Sequence, residues 1–420
     1  PSRGLHPSEL EALLEALVEL RDMGNTILMV EHDMLLINSA DYVVDIGPKA
    51  GIEGGEIVAS GPPNEIKRKN TITANWLNGR KKFKYLTQKR TPKKWLKIYG
   101  VKENNLKGET IEIPHGLLVG LCGVSGSGKS TLLIDTIGRI LAPKKHTTSM
   151  AQEPLEPGKY DKIEGELSQT IIIDQTRASI TSPLNYLGLK NTFFKIFAES
   201  EDAISLTLGE KDLKKSCTAC KGYGIIKTDM GFLPDIYDKC EVCDGTGYSS
   251  DAWRVKVNGI SLPELNELTI DEIYKLFYEN ESIKNKLKFV KDVGLGYLVL
   301  NQPAYTLSGG EVQRLKIAKE LSKKSKKKSM YILDEPTVGQ HMEDVSRLIN
   351  VLQRLVKIGN TVVVIEHHPH FLAACDWLIE LGPGGGDNGG RLVAVGSPEM
   401  IAKGKTPTAP YIKEILEEIA

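Results

Sequence analysis

The feature that most constrains this sequence is a glycine-rich octapeptide that follows an apolar run. Residues 117–122 have the composition of a buried strand, the octapeptide reads Gly-Val-Ser-Gly-Ser-Gly-Lys-Ser, and residues 131–137 favour a helix. This order satisfies G-x-x-x-x-G-K-[ST] and predicts a P-loop, in which backbone amides at a helix N-terminus surround the phosphates of ATP. The residues predicted to bind the nucleotide are Gly123, Ser125, Gly126, Ser127, Gly128, Lys129, Ser130 and Thr131.

A second apolar run, residues 330–333, ends in two adjacent carboxylates, Asp334 and Glu335. Ligands of open α/β sheets bind at the carboxyl ends of strands. We expect Asp334 to hold Mg²⁺, largely through water, and Glu335 to orient or deprotonate the attacking water. Lys129 would contact the β and γ phosphates, and Ser130 would offer its hydroxyl to Mg²⁺. In the alternative interpretation, which the P-loop disfavours, the two acids cap the next helix.

Four of the six cysteines form two Cys-x-x-Cys pairs, Cys217 with Cys220 and Cys240 with Cys243. Two such pairs favour a structural Zn²⁺ site, because four thiolates close a tetrahedral shell and leave no open position for water. A Gly-x-Gly follows each pair and permits the tight turns that bring the thiolates together. Disulfides or unligated surface thiols are the alternative.

Composition places the chain among ordinary globular proteins. It has 420 residues, 54 basic and 54 acidic side chains, and 40% hydrophobic residues. These values exclude disordered, collagenous and membrane compositions, and the balanced charge says nothing about nucleic acid. No apolar run approaches the roughly 18–20 residues that span a bilayer, and the first residues lack a signal-peptide layout. We expect a cytoplasmic protein that does not enter the membrane.

An ungapped internal repeat aligns residues 24–66 with residues 359–401. Each copy is predicted to form an apolar strand (26–30 and 361–365), a Glu-His pair, a helix, a short strand and a glycine-rich hairpin. A duplicated domain explains this pattern. The same offset places Pro1 opposite Pro336, so we expect the chain to begin inside a first copy whose upstream part is missing. The alternative is removal of an initiator methionine before Pro1.

A polar, basic stretch, residues 67–97, separates the copies and is predicted to connect two domains. We expect a solvated linker more than a surface that faces nucleic acid, although basic side chains that neutralise phosphates release counterions. The run 323–328 is expected to be a solvated loop. The basic residues of the connector are Arg80, Lys81, Lys82, Lys84, Lys89, Arg90, Lys93 and Lys94.

The sequence Leu-Ser-Gly-Gly-Glu-Val-Gln-Arg at residues 307–314 resembles the signature motif of ABC proteins. Ser308, Gly309 and Gly310 open a helix whose N-terminus can bind phosphate. In ABC proteins this surface completes the nucleotide site of the opposing domain.

The same resemblance assigns two further residues to the nucleotide site. Gln175, in Ile-Asp-Gln, resembles the Q-loop residue, and His367, after Glu366, resembles the switch histidine that contacts the γ-phosphate. His32 is the counterpart of His367 in the first copy. The predicted catalytic residues are therefore Glu335, His367 and Gln175.

Three further segments narrow the resemblance to the C-terminal half of the UvrA family of excinuclease proteins. They are Met-Gly-Phe-Leu-Pro-Asp-Ile-Tyr at 230–237, Asp-Val-Gly-Leu-Gly-Tyr at 292–297, and Tyr-Ile-Leu-Asp-Glu-Pro-Thr at 331–337. The resemblance implies an ABC-type P-loop ATPase domain of α/β class, with an inserted zinc-binding module and a helical signature region. It also implies a homodimer that binds damaged duplex DNA, and a UvrB-like helicase partner bound through the missing N-terminal half.

Some positions depart from the UvrA pattern. The loop at 177–186 is only loosely similar, Gly247 and Ser249 replace an arginine and an asparagine, and Gln340 stands where leucine is typical. These departures make a divergent UvrA-like paralogue in drug resistance an alternative. The soluble ATPase component of an ABC transporter, which would have the same ATP site, is a second alternative, and the zinc insertion between the P-loop and the signature counts against it. Because the first copy's P-loop and signature are missing, we expect nucleotide binding with poor hydrolysis.

These patterns predict a division of the chain into six segments. They are 1–66, the end of a first ABC ATPase domain; 67–97, the basic connector; 98–200, the P-loop part of a second ABC ATPase domain; 201–255, the zinc-binding module; 256–325, the signature region; and 326–420, the Walker B and C-terminal part of the second domain.

Overall fold

The structure is a computed structural model that describes residues 1–86, 88–142, 155–177, 180–228, 236–323 and 328–419. Several segments singled out in the sequence lie partly outside the described residues. Among them are the family-like stretch 230–237 (without 230–235), the lysine-rich run 323–328 (without 324–327), the loop 177–186 (without 178 and 179) and the basic connector 67–97 (without 87).

The strands are short, and most are apolar and rich in β-branched residues, which favour extended backbone. In chain order they are β1 (Val43–Gly47), β2 (Glu56–Gly61), β3 (Trp95–Val101), β4 (Glu109–Pro114), β5 (Leu118–Cys122), β6 (Lys162–Gly165), β7 (Gln169–Ile173), β8 (Ile225–Thr228), β9 (Ile236–Lys239), β10 (Lys256–Val257), β11 (Ile260–Ser261), β12 (Ser329–Asp334), β13 (Thr361–Ile365), β14 (Trp377–Gly382) and β15 (Arg391–Gly396).

Many of the helices begin at a polar residue whose side chain caps the first turn. In chain order they are α1 (Pro7–Asp22), α2 (Met34–Ser39), α3 (Pro63–Ile66), α4 (Ile72–Leu77), α5 (Arg139–Leu141), α6 (Pro183–Tyr186), α7 (Lys190–Ala198), α8 (Glu201–Ser205), α9 (Glu210–Leu213), α10 (Ser250–Arg254), α11 (Leu262–Glu267), α12 (Ile270–Leu276), α13 (Glu281–Asp292), α14 (Gly309–Ser322), α15 (Met342–Lys357), α16 (Pro369–Ala374), α17 (Pro398–Ile401) and α18 (Ala409–Ile419). A π-helical stretch, Thr131–Gly138, leads into α5.

The chain divides into two compact units. The first comprises Pro1–Gln175 and Lys323–Ala420, and the second comprises Thr176–Ser322. The predicted α/β class is confirmed, whereas the finer six-segment division stays a prediction.

A six-stranded sheet forms the centre of the first unit, in the order β15-β14-β5-β13-β12-β7. Only the β14–β15 pair is antiparallel, and β5 pairs in parallel with β13 and β14. Every residue of β5 and β13 is buried, as expected for strands covered on both faces. The P-loop therefore leaves a rigid strand in the middle of the sheet.

The two repeats differ in their first predicted strand. Residues 361–365 form β13, but the prediction of a strand at 26–30 is wrong, because this segment has no regular structure. Leu28 is 96% exposed and Val30 is 87% exposed. A strand needs hydrogen-bonding neighbours, and none of the described strands pairs with this segment. The following hairpins do match, since β1–β2 and β14–β15 carry their register shift at the same repeat position.

The basic connector packs on the second repeat over part of its length. Arg90 Nη1 lies 2.7 Å from Asp376 Oδ2, whose side chain is fully buried. Lys89 Nζ donates to the carbonyl oxygens of Ala373 and Cys375 at 2.5 Å and 2.7 Å. At these positions the connector is therefore not the solvated linker that the sequence favours.

The second unit is mainly helical and contains α6 to α14 with two small hairpins, β8–β9 and β10–β11. Its four clustered cysteines are buried, and α14 begins at the predicted signature motif. Among the described residues of both units, no helix has the length and apolar character that crossing a membrane requires.

Candidate nucleotide site and metal centre

The P-loop turns sharply where it leaves β5. Gly123 has a φ of +126°, and a Cβ atom there would lie 1.9 Å from the carbonyl oxygen of Leu381. Because any side chain would clash with this backbone, the first glycine of the motif is required by the close approach of β14.

Lys129 is folded onto the loop that carries it. Its Nζ donates to the carbonyl oxygens of Gly123 at 2.9 Å and Val124 at 2.8 Å. The residue is 5% exposed, and burial lowers the pKa of its ammonium group to about 8. A buried cation whose partners are neutral carbonyls is well placed to gain from an anionic ligand.

A cavity of about 230 Å³ lies beside this lysine and brings together residues from distant parts of the first unit. Its lining includes the P-loop, the predicted catalytic acid and histidine, and Gly4 of the first repeat, which at the same offset extends back to Pro1. The lining residues are Gly4, Asn105, Ser125, Gly126, Gly128, Lys129, Ser130, Thr131, Glu335 and His367.

Glu335 and His367 face each other at this cavity. His367 Nε2 lies 3.7 Å from Glu335 Oε1, and the imidazole is the main cause that lowers the pKa of the carboxyl group. Glu335 has a φ of +41°, an uncommon conformation for a residue with a side chain. Such conformations cluster at functional sites, so the backbone supports the role predicted for Glu335.

Asp334 ends β12 beside Glu335. Burial, followed by the charge of Glu335, raises the pKa of the Asp334 carboxyl group to about 6. A cation near both acids would remove their mutual repulsion, which fits the predicted magnesium role of Asp334.

The position of His367 is fixed by the residue before it. Glu366 is buried and accepts hydrogen bonds from the backbone amides of Thr337, His367 and His368 at 3.0 Å, 2.9 Å and 3.2 Å. Burial raises the pKa of its carboxyl group to about 7. Glu366 therefore ties the strand end that carries His367 to the segment after Glu335.

The sequence did not identify the contribution of the first repeat to this site. Glu9 Oε2 accepts a hydrogen bond from Ser125 Oγ at 2.6 Å, and the carbonyl oxygen of Gly4 lies 3.2 Å from the same hydroxyl. Arg3 Nη2 donates to Gln175 Oε1 at 2.9 Å. The repeat offset could have drawn attention to these residues, since Gly4 matches a glycine four residues after Glu335.

The four predicted zinc ligands lie together in the second unit. Their sulfur atoms are all within 4.8 Å of one another, with Cys217 to Cys240 at 3.9 Å and Cys220 to Cys243 at 3.6 Å. A tetrahedral site with Zn–S bonds of about 2.3 Å needs sulfur separations of about 3.8 Å. The four thiols therefore fit a Zn²⁺ ion, although other soft metals share this preference.

The two Cys-x-x-Cys turns resemble each other. The amides of Gly224 and Gly247 each donate to the sulfur of a ligand cysteine at 3.2 Å, in Cys220 and Cys243. A Cβ on Gly224 would lie 2.2 Å from the carbonyl oxygen of Gly245. The turns that the Gly-x-Gly spacing predicts are therefore present.

The predicted signature residues are in the second unit. Ser308 caps α14, because the Glu311 amide donates to Ser308 Oγ at 3.2 Å and the Ser308 amide donates to Glu311 Oε2 at 2.7 Å. Arg177 Nη2 donates to the carbonyl oxygen of Leu307 at 2.6 Å and fixes the approach to the helix. Gly309 and Gly310 are the first residues of α14.

Comparison with known proteins gives consistent matches. The family model described as ABC transporter matches residues 106–338. UvrABC system protein A of Staphylococcus aureus (strain COL) is 44% identical over 430 residues, which cover 99% of this chain and 45% of the relative. The protein of the same name from Aquifex aeolicus (strain VF5) is 43% identical, with 100% and 46% covered.

A solved structure gives the same result. The crystal structure of UvrA2 from Deinococcus radiodurans superposes with a TM-score of 0.86 at 38% identity, covering 99% of this chain and 51% of that one. The chain spans about half the length of the relatives that it matches. Because the family model matches more than half of its residues, the chain belongs to the ABC transporter family, and along nearly its whole length it is similar to UvrA proteins.

Proposed function

We propose that the chain is an ATP-binding and ATP-hydrolysing half of a UvrA-like protein of nucleotide excision repair. The observation that carries the proposal is the cavity shared by Lys129, Glu335 and His367. A P-loop lysine, a carboxylate and a histidine at one cavity are groups that phosphoryl transfer to water requires. Because the relatives that match nearly the whole chain are UvrA proteins, the transporter alternative is not favoured.

ATP would enter with its phosphates against the P-loop amides. Lys129 would exchange its two carbonyl partners for β- and γ-phosphate oxygens, which are stronger acceptors because they are charged. Ser130 and Asp334 would hold Mg²⁺, which neutralises charge that develops on the phosphates.

Glu335 would orient and deprotonate the attacking water. Its carboxyl group, whose pKa is lowered by the neighbouring His367, is ionised at neutral pH and can accept a proton from the water. His367 and Gln175 would contact the γ-phosphate side of the site. Ser308, Gly309 and Gly310 would serve a nucleotide in an opposing domain, so complete turnover would need a homodimer or the rest of a longer chain.

The zinc site would be structural. Four thiolates complete a closed shell, and binding energy at such sites is folding energy of about 10–16 kcal/mol at neutral pH. We propose that Cys217, Cys220, Cys240 and Cys243 bind Zn²⁺ and stabilise the surrounding module. The proposed partners of the whole protein are damaged duplex DNA and a UvrB-like helicase, and the cytoplasmic location stays a prediction.

The direct test of the proposed chemistry is Glu335→Gln. Hydrolysis should slow by on the order of 10² to 10⁴ while nucleotide binding is retained, because the amide cannot accept the water proton. The matched control is Glu399→Gln, which makes the same chemical change at an exposed surface position. Undiminished turnover of Glu335→Gln would remove this residue from the mechanism.

The repair assignment has a separate test. Binding of damaged and undamaged duplex DNA by the longest available form of the protein should weaken steeply between 50 and 200 mM salt, by roughly 10³-fold if six phosphates are contacted. Absence of duplex affinity at low salt would contradict the repair function and would leave the ATP chemistry unaffected.

A further inference from the structure

The two repeats remain in register beyond the glycine-rich hairpins. Residues 71–76 read Thr-Ile-Thr-Ala-Asn-Trp, and residues 406–411 read Thr-Pro-Thr-Ala-Pro-Tyr at the same offset. One acid, two threonines and one histidine are therefore present twice. The matched pairs are Asp45 with Glu380, Thr71 with Thr406, Thr73 with Thr408, and His6 with His341.

In the second repeat, the acid and the threonines form a buried pocket that receives a histidine from the first repeat. Glu380 accepts a hydrogen bond from the Thr408 amide at 2.9 Å and another from the Thr406 hydroxyl. His6 Nε2 lies 3.2 Å from Thr408 Oγ1, and the His6 side chain is 0% exposed. The other ring nitrogen, Nδ1, accepts from the Ser8 amide at 3.3 Å and caps α1.

The reverse contact pairs the equivalent residues, in a part-buried pocket where Asp45 accepts hydrogen bonds from the hydroxyl groups of both threonines. His341 Nε2 lies 3.3 Å from Thr73 Oγ1, which in turn donates to Asp45 Oδ1 at 2.8 Å. His341 Nδ1 accepts from the Glu343 amide at 3.1 Å and caps α15. His6 Nδ1 also lies 2.8 Å from Ser8 Oγ. A ring nitrogen that accepts an amide hydrogen is unprotonated, and in that tautomer Nε2 of each histidine donates to the threonine of the other repeat.

Of these two histidines, His6 lies next to the predicted catalytic pair of Glu335 and His367. The rings of His6 and His367 meet edge to face, with centroids 6.1 Å apart and an angle of 80°. On its other side His6 meets Tyr411, with centroids 5.7 Å apart. The ring of His6 packs against the ring of His367 and limits its position. His367 Nε2 lies 3.7 Å from Glu335, so this packing also affects the distance between these two residues.

We propose that the two repeats exchange His6 and His341, each of which contacts an acid-and-threonine pocket of the other repeat, and that His6 is a positioning residue for the nucleotide site. His6 thereby sets the distance between His367 and Glu335, so the first repeat controls hydrolysis at the P-loop of the second. The effect on hydrolysis rests on the proposed function, but the exchange of histidines does not.

The exchange is tested without nucleotide by thermal unfolding of the 420-residue chain. His6→Ala and Thr408→Val should not be additive, because either change alone breaks the shared hydrogen bond. His341→Ala and Thr73→Val should show the same coupling. The crossed combination, His6→Ala with Thr73→Val, should give additive shifts in Tm. Additive shifts in both matched pairs would overturn the exchange.

The positioning role is tested by single-turnover hydrolysis of Mg-ATP with the same chain in excess. Thr408→Val should slow the chemical step by about 10-fold without a comparable loss of ATP affinity, because small displacements of reacting groups reduce rate more than binding. Thr408→Ser, which keeps the hydroxyl, should restore the rate. The matched control Thr73→Val should lower Tm to a similar extent and leave the rate unchanged.

Two results would count against the positioning role. The first is an unchanged rate of hydrolysis in Thr408→Val. The second is a loss of rate in Thr73→Val as large as that in Thr408→Val. Either result would mean that the pocket only stabilises the fold. A wild-type chain that binds no Mg-ATP would overturn the proposed function. It would leave the exchange of histidines standing, because the unfolding experiment tests that exchange without nucleotide.

Discussion

Residues 361–365 of the second repeat form a fully buried strand between β5 and β12, whereas the matching residues 26–30 of the first repeat form none. One hydrogen bond to the glutamate of the Glu-His pair is nevertheless present in both repeats. The Thr337 amide donates to Glu366 at 3.0 Å, and the matching Ser2 amide donates to Glu31 at 2.7 Å. A strand depends on its neighbours in the sheet, while a short loop held by one carboxylate keeps its form without them.

The largest expected effect of this difference is on the rate of hydrogen exchange at the backbone amides. Amide hydrogens of 361–365 should exchange at least ~10³-fold more slowly than those of 26–30, because the former are bonded within a central sheet and the latter are exposed. Hydrogen exchange followed by mass spectrometry measures both segments in one sample. Equal protection would mean that the first repeat is paired in solution, which would break the comparison.

The repeats should also differ in what their Glu-His pairs do. His367→Ala should slow ATP hydrolysis by about 10², because His367 lies beside Glu335, whereas His32→Ala should have little effect in this chain. Single-turnover hydrolysis of Mg-ATP with the chain in excess gives the comparison directly. Equal losses would show that both histidines serve the same site.

Alanine substitutions at matching positions compare how much segments 361–365 and 26–30 contribute to stability. Val363→Ala should lower the free energy of unfolding by about 2 kcal/mol, because Val363 is buried in the core and the change leaves a cavity. Leu28→Ala, at the matching position, should change it by less than ~0.5 kcal/mol, since the side chain is exposed. Urea unfolding of both variants checks the difference, and a large loss in Leu28→Ala would contradict it.

A smaller effect on the pH dependence of stability is expected from the carboxyl group of Asp334 in the second repeat. The pKa of Asp334 is raised from 3.8 to about 6, so the folded state binds more protons than the unfolded state between these values. Its contribution to stability is therefore present below pH 3.8 and is lost as the pH rises through about 6.

Asp334→Asn should consequently raise Tm above pH 6 by about 2 °C or more, and have little effect near pH 4. Differential scanning calorimetry across this range measures the change, with the exposed Asp387→Asn as the control. A lower Tm at neutral pH would show that the charge of Asp334 stabilises the fold.

Sequence patterns predicted the parts of the site that are local. The P-loop, the strand that carries Asp334 and the four clustered cysteines each have a spacing that fixes their geometry, and the structure places them accordingly. The strand predicted at 26–30 failed because apolar periodicity reports a capacity for pairing and does not report whether partners are present.

Contacts between distant segments could not be predicted in this way. Glu9 meets Ser125, Arg3 meets Gln175, and His6 meets Thr408 across more than one hundred residues of chain. Ser125 and Gln175 belong to predicted motifs, but their partners Glu9 and Arg3, and both His6 and Thr408, belong to none with fixed spacing. The only sequence signal for these contacts is the repeat offset, which aligns His6 with His341 and so identifies them as equivalent positions.

The central claim is that a nucleotide binds at the P-loop of the second repeat through Lys129. Equilibrium titration of the chain with a fluorescent ATP analogue and Mg²⁺, compared between wild type and Lys129→Ala, tests it most directly. The variant should bind at least ~10-fold more weakly, because it loses hydrogen bonds between a cation and the phosphates. Equal affinity in the two proteins would contradict the claim.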